Sequence, residues 1–188
     1  MRGGLAPWCL VVALALGGCG DVDGANQPFA GTTLFVSSGG EYQLHLLVPP
    51  WFPIGEQNGV AIFVVPPNQT ISGQPQLSDA LYSLEVAGAN GDPASALAAM
   101  ANAHSPALSL TNKKAVTTAS RATGWELAWQ EGPGVYHRDV FVAGAGTATF
   151  FLHFTAVQAI AGDPGVTQMI LSFKPTPSGS AAGTGGEP

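Results

Sequence analysis

From Thr32 onward, polar and apolar positions alternate in short runs that turn-forming residues interrupt. Thr32 to Val36 and Glu41 to Val48 flank Ser37-Ser38-Gly39-Gly40, and the second run sets Tyr42, Leu44, Leu46 and Val48 against Glu41, Gln43 and His45. That period of two predicts a hairpin with one buried face. Pro49, Pro50 and Pro53 are expected to stop the ladder, because proline has no N–H to pair. Val60 to Val65 has the length of a buried strand and ends at Pro66-Pro67, Asn68 to Ser78 reads as a loop, and Leu81 to Val86 reads as a further strand.

Asp92-Pro93 then predicts a helix start, with aspartate capping free N–H groups and proline pre-set for the first helical position. The helix runs from Pro93 to about His104, is rich in alanine, and turns Leu97, Met100 and Ala101 to one face. Four strands are expected next: Ala115 to Arg121, Trp125 to Gln130, Val135 to Val142 and Thr147 to Phe154. Gly124, Gly132-Pro133-Gly134 and Gly144-Ala145-Gly146 separate them at the short intervals of an antiparallel meander. Trp125, Leu127 and Trp129 share one face of their strand, and Phe150, Leu152 and Phe154 share one face of theirs. Asp163-Pro164 repeats the helix signal ahead of Val166, Met169, Ile170 and Phe173, and Lys174-Pro175 ends it. Strands, helix, meander and helix define an α+β domain: an antiparallel sheet with both helices packed on it.

The segment ahead of this domain has a different character. Met1 and Arg2 make a short positive start, Leu5 to Leu16 is an apolar run broken by Pro7, and small residues follow. This is the layout of a secretory signal, and it is shorter than the roughly 20 apolar residues a transmembrane helix requires. Leu16-Gly17-Gly18-Cys19 resembles the bacterial lipobox, which implies removal of residues 1–18 and diacylation of Cys19 as the first mature residue. The competing reading is an ordinary signal with a chance cysteine. Cys9 lies in the discarded segment, so acylation of Cys19 leaves neither a free thiol nor a disulfide. The resemblance also implies an extracytoplasmic, membrane-anchored location. Gly20, where lipoproteins retained in the inner membrane commonly have aspartate, leans towards the outer membrane of a two-membrane cell. Residues 19–30 read as a flexible tether, 31–174 as a single domain, and 175–188 as a low-complexity tail expected to be disordered.

Composition narrows the function. Of 188 residues, 170 remain after the signal, enough for one domain with its own core. The formal charge is -6, and Lys113, Lys114, Arg121, Arg138 and Lys174 are the only cations beyond Arg2. So acidic a chain is not expected to bind nucleic acid, nor to reach anionic lipid by charge, which leaves the acyl group as the source of membrane affinity.

The order of elements carries a second resemblance. Leu46-Leu47-Val48-Pro49-Pro50-Trp51, the helix midway, the Gly-Trp meander from Gly124 to Phe154 and the closing Ile170-Leu171-Ser172-Phe173-Lys174 resemble the PsbP/DcrB-like superfamily, which includes Mog-type Ran-binding proteins. The resemblance implies an α/β/α sandwich about an antiparallel sheet. It further implies a non-enzymatic role in binding a protein partner or large assembly, with no catalytic motif to carry over.

The residues themselves offer little chemistry. There is no Gly-x-Ser-x-Gly elbow, and Gly144-Ala145-Gly146-Thr147 lacks the lysine and helix of a phosphate-binding loop. His137-Arg138-Asp139 matches the kinase catalytic tripeptide without its companion motifs. His45, His104, His137 and His153 show no metal-ligand spacing, and no cofactor is expected. His137 and Asp139 do share a strand face, and His153 joins them if the hairpin register allows; structural histidines are the competing reading. Asn68-Gln69-Thr70 fits a glycosylation acceptor but reads as a polar loop. Trp51 and Phe52, among prolines, form a candidate contact surface, against core packing of Trp51. The leading expectation is a lipid-anchored envelope module that binds a protein partner. The alternative is a carrier of an apolar molecule or lipid, in a pocket lined by Trp125, Trp129, Phe150 or Phe154. A hydrolase comes third, to be raised by His137, Asp139 and His153 clustering beside a cleft.

Overall fold

The computed structural model describes residues 32–47, 51–66 and 80–176. The signal segment, Cys19, the tether, the loop from Asn68 to Ser78 and residues 177–188 of the tail lie outside the described residues; Pro175 and Thr176, expected to be disordered with that tail, are instead held against β2 and Glu41. The elements in order are β1 (Thr32–Val36), β2 (Tyr42–Leu47), β3 (Phe52–Gln57), β4 (Val60–Val65), β5 (Tyr82–Ala89), α1 (Pro93–Ala103), a short 3-10 turn (Leu110–Asn112), β6 (Lys114–Thr117), β7 (Thr123–Gln130), β8 (Tyr136–Ala143), β9 (Thr149–Ala156), α2 (Pro164–Ser172) and β10 (Lys174–Pro175). Both helices start as expected. The Asp92 carboxylate accepts from the N–H of Ala94 and Ser95, the Asp163 carboxylate accepts from that of Val166, and a proline follows each cap.

The strands form two antiparallel sheets where one was expected: a three-stranded sheet, β1-β2-β10, and a seven-stranded sheet, β3-β4-β5-β9-β8-β7-β6. The first hairpin is a separate layer because the apolar face of β2 is needed on top of the main sheet. Tyr42, Leu44 and Leu46 join one buried cluster with Phe63, Leu84, Val140, Phe154 and the α2 residues Met169 and Ile170. Tyr42 sits between rings, 5.3 Å from Phe173 and 5.5 Å from Phe150. The other correction is β3, which the prolines were expected to exclude. Pro53 is tolerated there because β3 pairs with β4 alone, and the register shifts between Pro53 and Gly55.

Three layers result. On one face of the main sheet, α1 packs over β7 and β8, with Ala96 and Leu97 against Leu127 and Phe141. On the other face lie α2 and the small sheet. This is the expected α+β arrangement, with the small sheet added to one layer.

The split limits what a carrier pocket could use. Trp125 and Trp129 belong to the cluster under α1, whereas Phe150 and Phe154 belong to the cluster under α2. Alternation along paired strands sends them to opposite sides of the sheet, so no single cavity is lined by all four.

A glycine in β7 sets how closely the meander can pair. A Cβ added at Gly124 would lie 2.0 Å from the backbone carbonyl oxygen of Phe141, which cannot rotate away. Gly124→Ala should therefore lower unfolding free energy by about 3 kcal/mol, at the upper end of overpacking. Denaturant titration checks this; a loss no larger than that of an exposed Gly→Ala change would refute the crowding.

Candidate functional site

Three consecutive polar residues of β8, His137, Arg138 and Asp139, are 6%, 5% and 1% exposed. Burial of three such groups in a row requires partners on both faces of the strand. Arg138 faces α2, donating from Nε and Nη2 to Glu126 Oε2 at 3.0 and 2.7 Å and from Nη1 to Thr167 Oγ1 at 2.9 Å. It thereby ties β7 and β8 to α2. His137 and Asp139 point to the α1 side, so the kinase-like tripeptide is divided between two layers.

The ladder then assembles the cluster. Asp139 pairs with His153, His137 pairs with Thr155 and with Trp129, and Glu85 lies across from His153 on the other side of β9. Asp139 Oδ2 accepts from the Trp129 indole N–H at 2.5 Å, and Asp139 Oδ1 lies 2.5 Å from His153 Nδ1. Thr155 Oγ1 lies 3.0 Å from His153 Nε2 and 3.2 Å from His137 Nδ1. Trp129, His137 and His153 stack in sequence, with ring centroids 4.0 and 5.2 Å apart. His137 Nε2 is 3.4 Å from the carboxylate of Glu131, in the β7–β8 turn, yet makes no hydrogen bond.

The two imidazoles are tuned in opposite directions. Burial acts to lower the pKa of His153, but the hydrogen bond and charge of Asp139, with help from Glu85, outweigh it and raise the group above its ordinary value. Burial lowers that of His137, the neighbouring His153 adds to this, and Asp139 and Glu131 oppose it only in part.

The three residues named from sequence, His137, Asp139 and His153, thus come together, beside two open grooves of about 250 Å³ each. One groove is bordered by Trp129, His137 and Ile160, the other by Glu85, Thr155 and Val157. Thr155, Trp129 and Glu131 complete the cluster; Trp129 was named from sequence only as a pocket-lining aromatic, and Thr155 and Glu131 carried no signal, since these roles depend on register. His45 lies elsewhere, 2.9 Å from Thr32 Oγ1, and His104 packs edge-on against Trp129 at the end of α1. Trp51 is 4% exposed and packs against Tyr82 and Phe154, so it belongs to the core and not to a contact surface. Phe52 is half-buried on the edge strand β3.

Asp139, His153 and Thr155 stand in the order of a carboxylate, a base and a hydroxyl nucleophile. An acyl-transfer site needs, in addition, N–H donors aimed at a developing oxyanion. Here β9 is paired along its length by β5 on one side and β8 on the other, so its N–H groups are committed to the ladders. Nor do the imidazoles converge on a metal: the rings are stacked, Asp139 occupies His153 Nδ1, and among the described residues no group of three or more His, Cys, Asp or Glu is placed to hold an ion. The arrangement can hold and move a proton.

No protein-family model and no curated protein matches the sequence significantly. Among solved structures, the solution structure of a cyanobacterial PsbP (CyanoP) from Synechocystis sp. PCC 6803 is similar with a TM-score of 0.51 at 14% identity, over 86% of this chain and 99% of that one. A crystal structure from Bacteroides thetaiotaomicron is similar with a TM-score of 0.49 at 13% identity, over 79% of this chain; the match spans only 50% of that protein. The likeness to CyanoP concerns the fold: the domain is a PsbP-like α+β arrangement.

The unfolded chain lacks the Asp139 pairing, so the raised pKa of His153 means that its protonation stabilises the native state. That contribution is full below the ordinary histidine value of 6.5 and is lost as pH rises through the folded value. His137 has the opposite sign: its contribution is present above 6.5 and is lost as pH falls through its lowered folded value. Asp139→Asn should therefore bring His153 down towards or below its ordinary value in an NMR titration. The stability gap between wild type and variant should widen by about 1 kcal/mol between about pH 8 and about pH 6. A gap independent of pH would show that the pair does not titrate with folding.

Proposed function

We propose that the protein is a lipid-anchored contact module of the bacterial cell envelope: residues 1–18 are removed, Cys19 is diacylated, residues 19–30 tether the domain, and the domain binds a protein partner without catalysis. The anchor rests on Leu16-Gly17-Gly18-Cys19 behind a charged start and an apolar run. The observation that carries the contact role is the use of the large aromatic side chains. They fill two separate clusters on opposite faces of one sheet, and so do not line a shared ligand cavity. The PsbP-like fold is compatible with such a role, and the lack of uncommitted N–H donors along β9 argues against acyl transfer at Thr155.

Two measurements test this reading in sequence. The mature N-terminus should carry a diacylglycerol on Cys19, and Cys19→Ala should release the protein from the membrane fraction; an unmodified N-terminus would overturn the anchor. Cross-linking the intact protein in its native envelope, followed by mass spectrometry, should recover one dominant protein. Recovery of lipid or a small molecule without a protein would overturn the contact role in favour of the carrier.

A further inference from the structure

The polar side chains between Glu131 and Asp139 form one line across β7, β8 and β9, and their hydrogens can be assigned from donor and acceptor rules alone. A carboxylate only accepts, so His153 Nδ1, 2.5 Å from Asp139 Oδ1, carries a hydrogen. When His153 is neutral its Nε2 is bare and accepts the hydroxyl hydrogen of Thr155 at 3.0 Å. The oxygen of Thr155 then faces His137 Nδ1 at 3.2 Å as an acceptor, which puts the single hydrogen of a neutral His137 on Nδ1. The line ends badly. His137 Nε2, buried and without a hydrogen-bond partner, presents a lone pair to the Glu131 carboxylate, another acceptor, 3.4 Å away.

One added proton removes the conflict. It binds at His137 Nε2 as a new N–H; His137 passes its Nδ1 hydrogen to Thr155 Oγ1, and Thr155 passes its own hydrogen to His153 Nε2. Each pair in between keeps its partners and exchanges donor for acceptor, with no heavy atom moving. His153 ends as an imidazolium held by Asp139, and His137 stays neutral in its other tautomer, with an Nε2–H that the exposed Glu131 carboxylate, 3.4 Å away, meets by a small rotation of its own side chain. Every acceptor in the line then meets a donor.

We propose that Glu131, His137, Thr155, His153 and Asp139 form a proton relay that works as a latch: a proton entering beside Glu131 comes to rest on His153, and the His137 Nε2–H it leaves behind fastens the β7–β8 turn to the sheet. The turn has something to fasten. It is exposed, it passes through Gly132 and Gly134 at φ of 60° and 87°, and a backbone bond from the Glu131 N–H to the Val135 carbonyl, at 2.9 Å, closes it. The carboxyl groups beside His153 favour its protonated state: Asp139 from β8 and Glu85 from β5 both strengthen its hold on the proton. From the α1 side His104 reaches Trp129, and α2 lies across the sheet. The opposite tuning of the two imidazoles, His153 raised and His137 lowered, places the resting charge on the same ring. The latch is independent of whether Cys19 is acylated.

The test is a pH titration of the full-length chain labelled with 15N at histidine, with tautomers read from ring-nitrogen shifts. Neutral His137 should be the Nδ1–H form above the pKa of His153 and the Nε2–H form below it, and exchange of the Glu131 amide should slow several-fold on the acid side. Thr155→Val keeps the side-chain shape and removes the hydroxyl; His153 should still titrate while the His137 tautomer no longer follows. Should that variant fail to fold, Glu131 on the exposed turn gives the same information. Glu131→Gln supplies an N–H donor to the bare Nε2 of the unprotonated state, so it should lower the His153 pKa more than Glu131→Ala, which removes the same charge and supplies none. A His137 tautomer that stays fixed as His153 titrates, a His137 that becomes charged with it, or equal effects of the two Glu131 variants would overturn the relay.

Discussion

The pairing of β9 on both sides constrains everything else in this domain. With β5 along one edge and β8 along the other, its backbone groups are satisfied within the sheet and its side chains are divided between two layers. Phe150, Leu152, Phe154 and Ala156 go to the layer under α2, and Phe151, His153 and Thr155 go to the α1 side. The same pairing fixes which β8 residue faces which β9 residue, and so brings the Asp139 carboxylate to His153 and His137 to Thr155. A slip of one residue would exchange the two faces and leave Asp139 buried without a donor.

Much of this was legible in the sequence where a local signal decides the outcome. Both Asp-Pro caps start their helices where expected, because capping needs only neighbouring residues. The four strands of the meander follow from alternation and from two of the three glycine turns; Gly124, expected to separate strands, lies inside β7, and the first strand ends at Thr117 instead of Arg121. What was hidden depends on contacts distant in the chain. Strand β3 was hidden because Pro53 is forbidden in an interior strand and permitted at an edge, and position in a sheet is not a local property. The separation of β1 and β2 into their own sheet follows from Tyr42 and Leu44 meeting α2, more than a hundred residues later. His137, Asp139 and His153 could be named as candidates, but Thr155 as the hydroxyl between two imidazoles required the register.

The buried polar groups divide by face in a way that suits their chemistry. Under α2, Arg138 and Glu126 form an ion pair whose arginine also reaches Thr167, so it serves as an attachment between sheet and helix. On the α1 side the groups are imidazoles and a hydroxyl, each able both to donate and to accept. One strand therefore carries a permanent tie on one surface and an adjustable one on the other, and adjacent residues, Arg138 and Asp139, belong to different systems.

The small sheet has a mechanical consequence. Strand β1 is bonded to β2 alone, through five residue pairs beginning at Thr32 opposite Leu47, and β10 is bonded to the other edge of the same strand. The chain thus enters and leaves the described domain through β2. Tension on the segment ahead of Thr32 falls on the β1–β2 pairs first, while the seven-stranded sheet with the histidine line lies behind the layer that yields. Because Thr32 and Leu47 mark the open end of the hairpin, it can unzip pair by pair from that end, extending the lead into the domain before force reaches the strands that hold the histidine line in register.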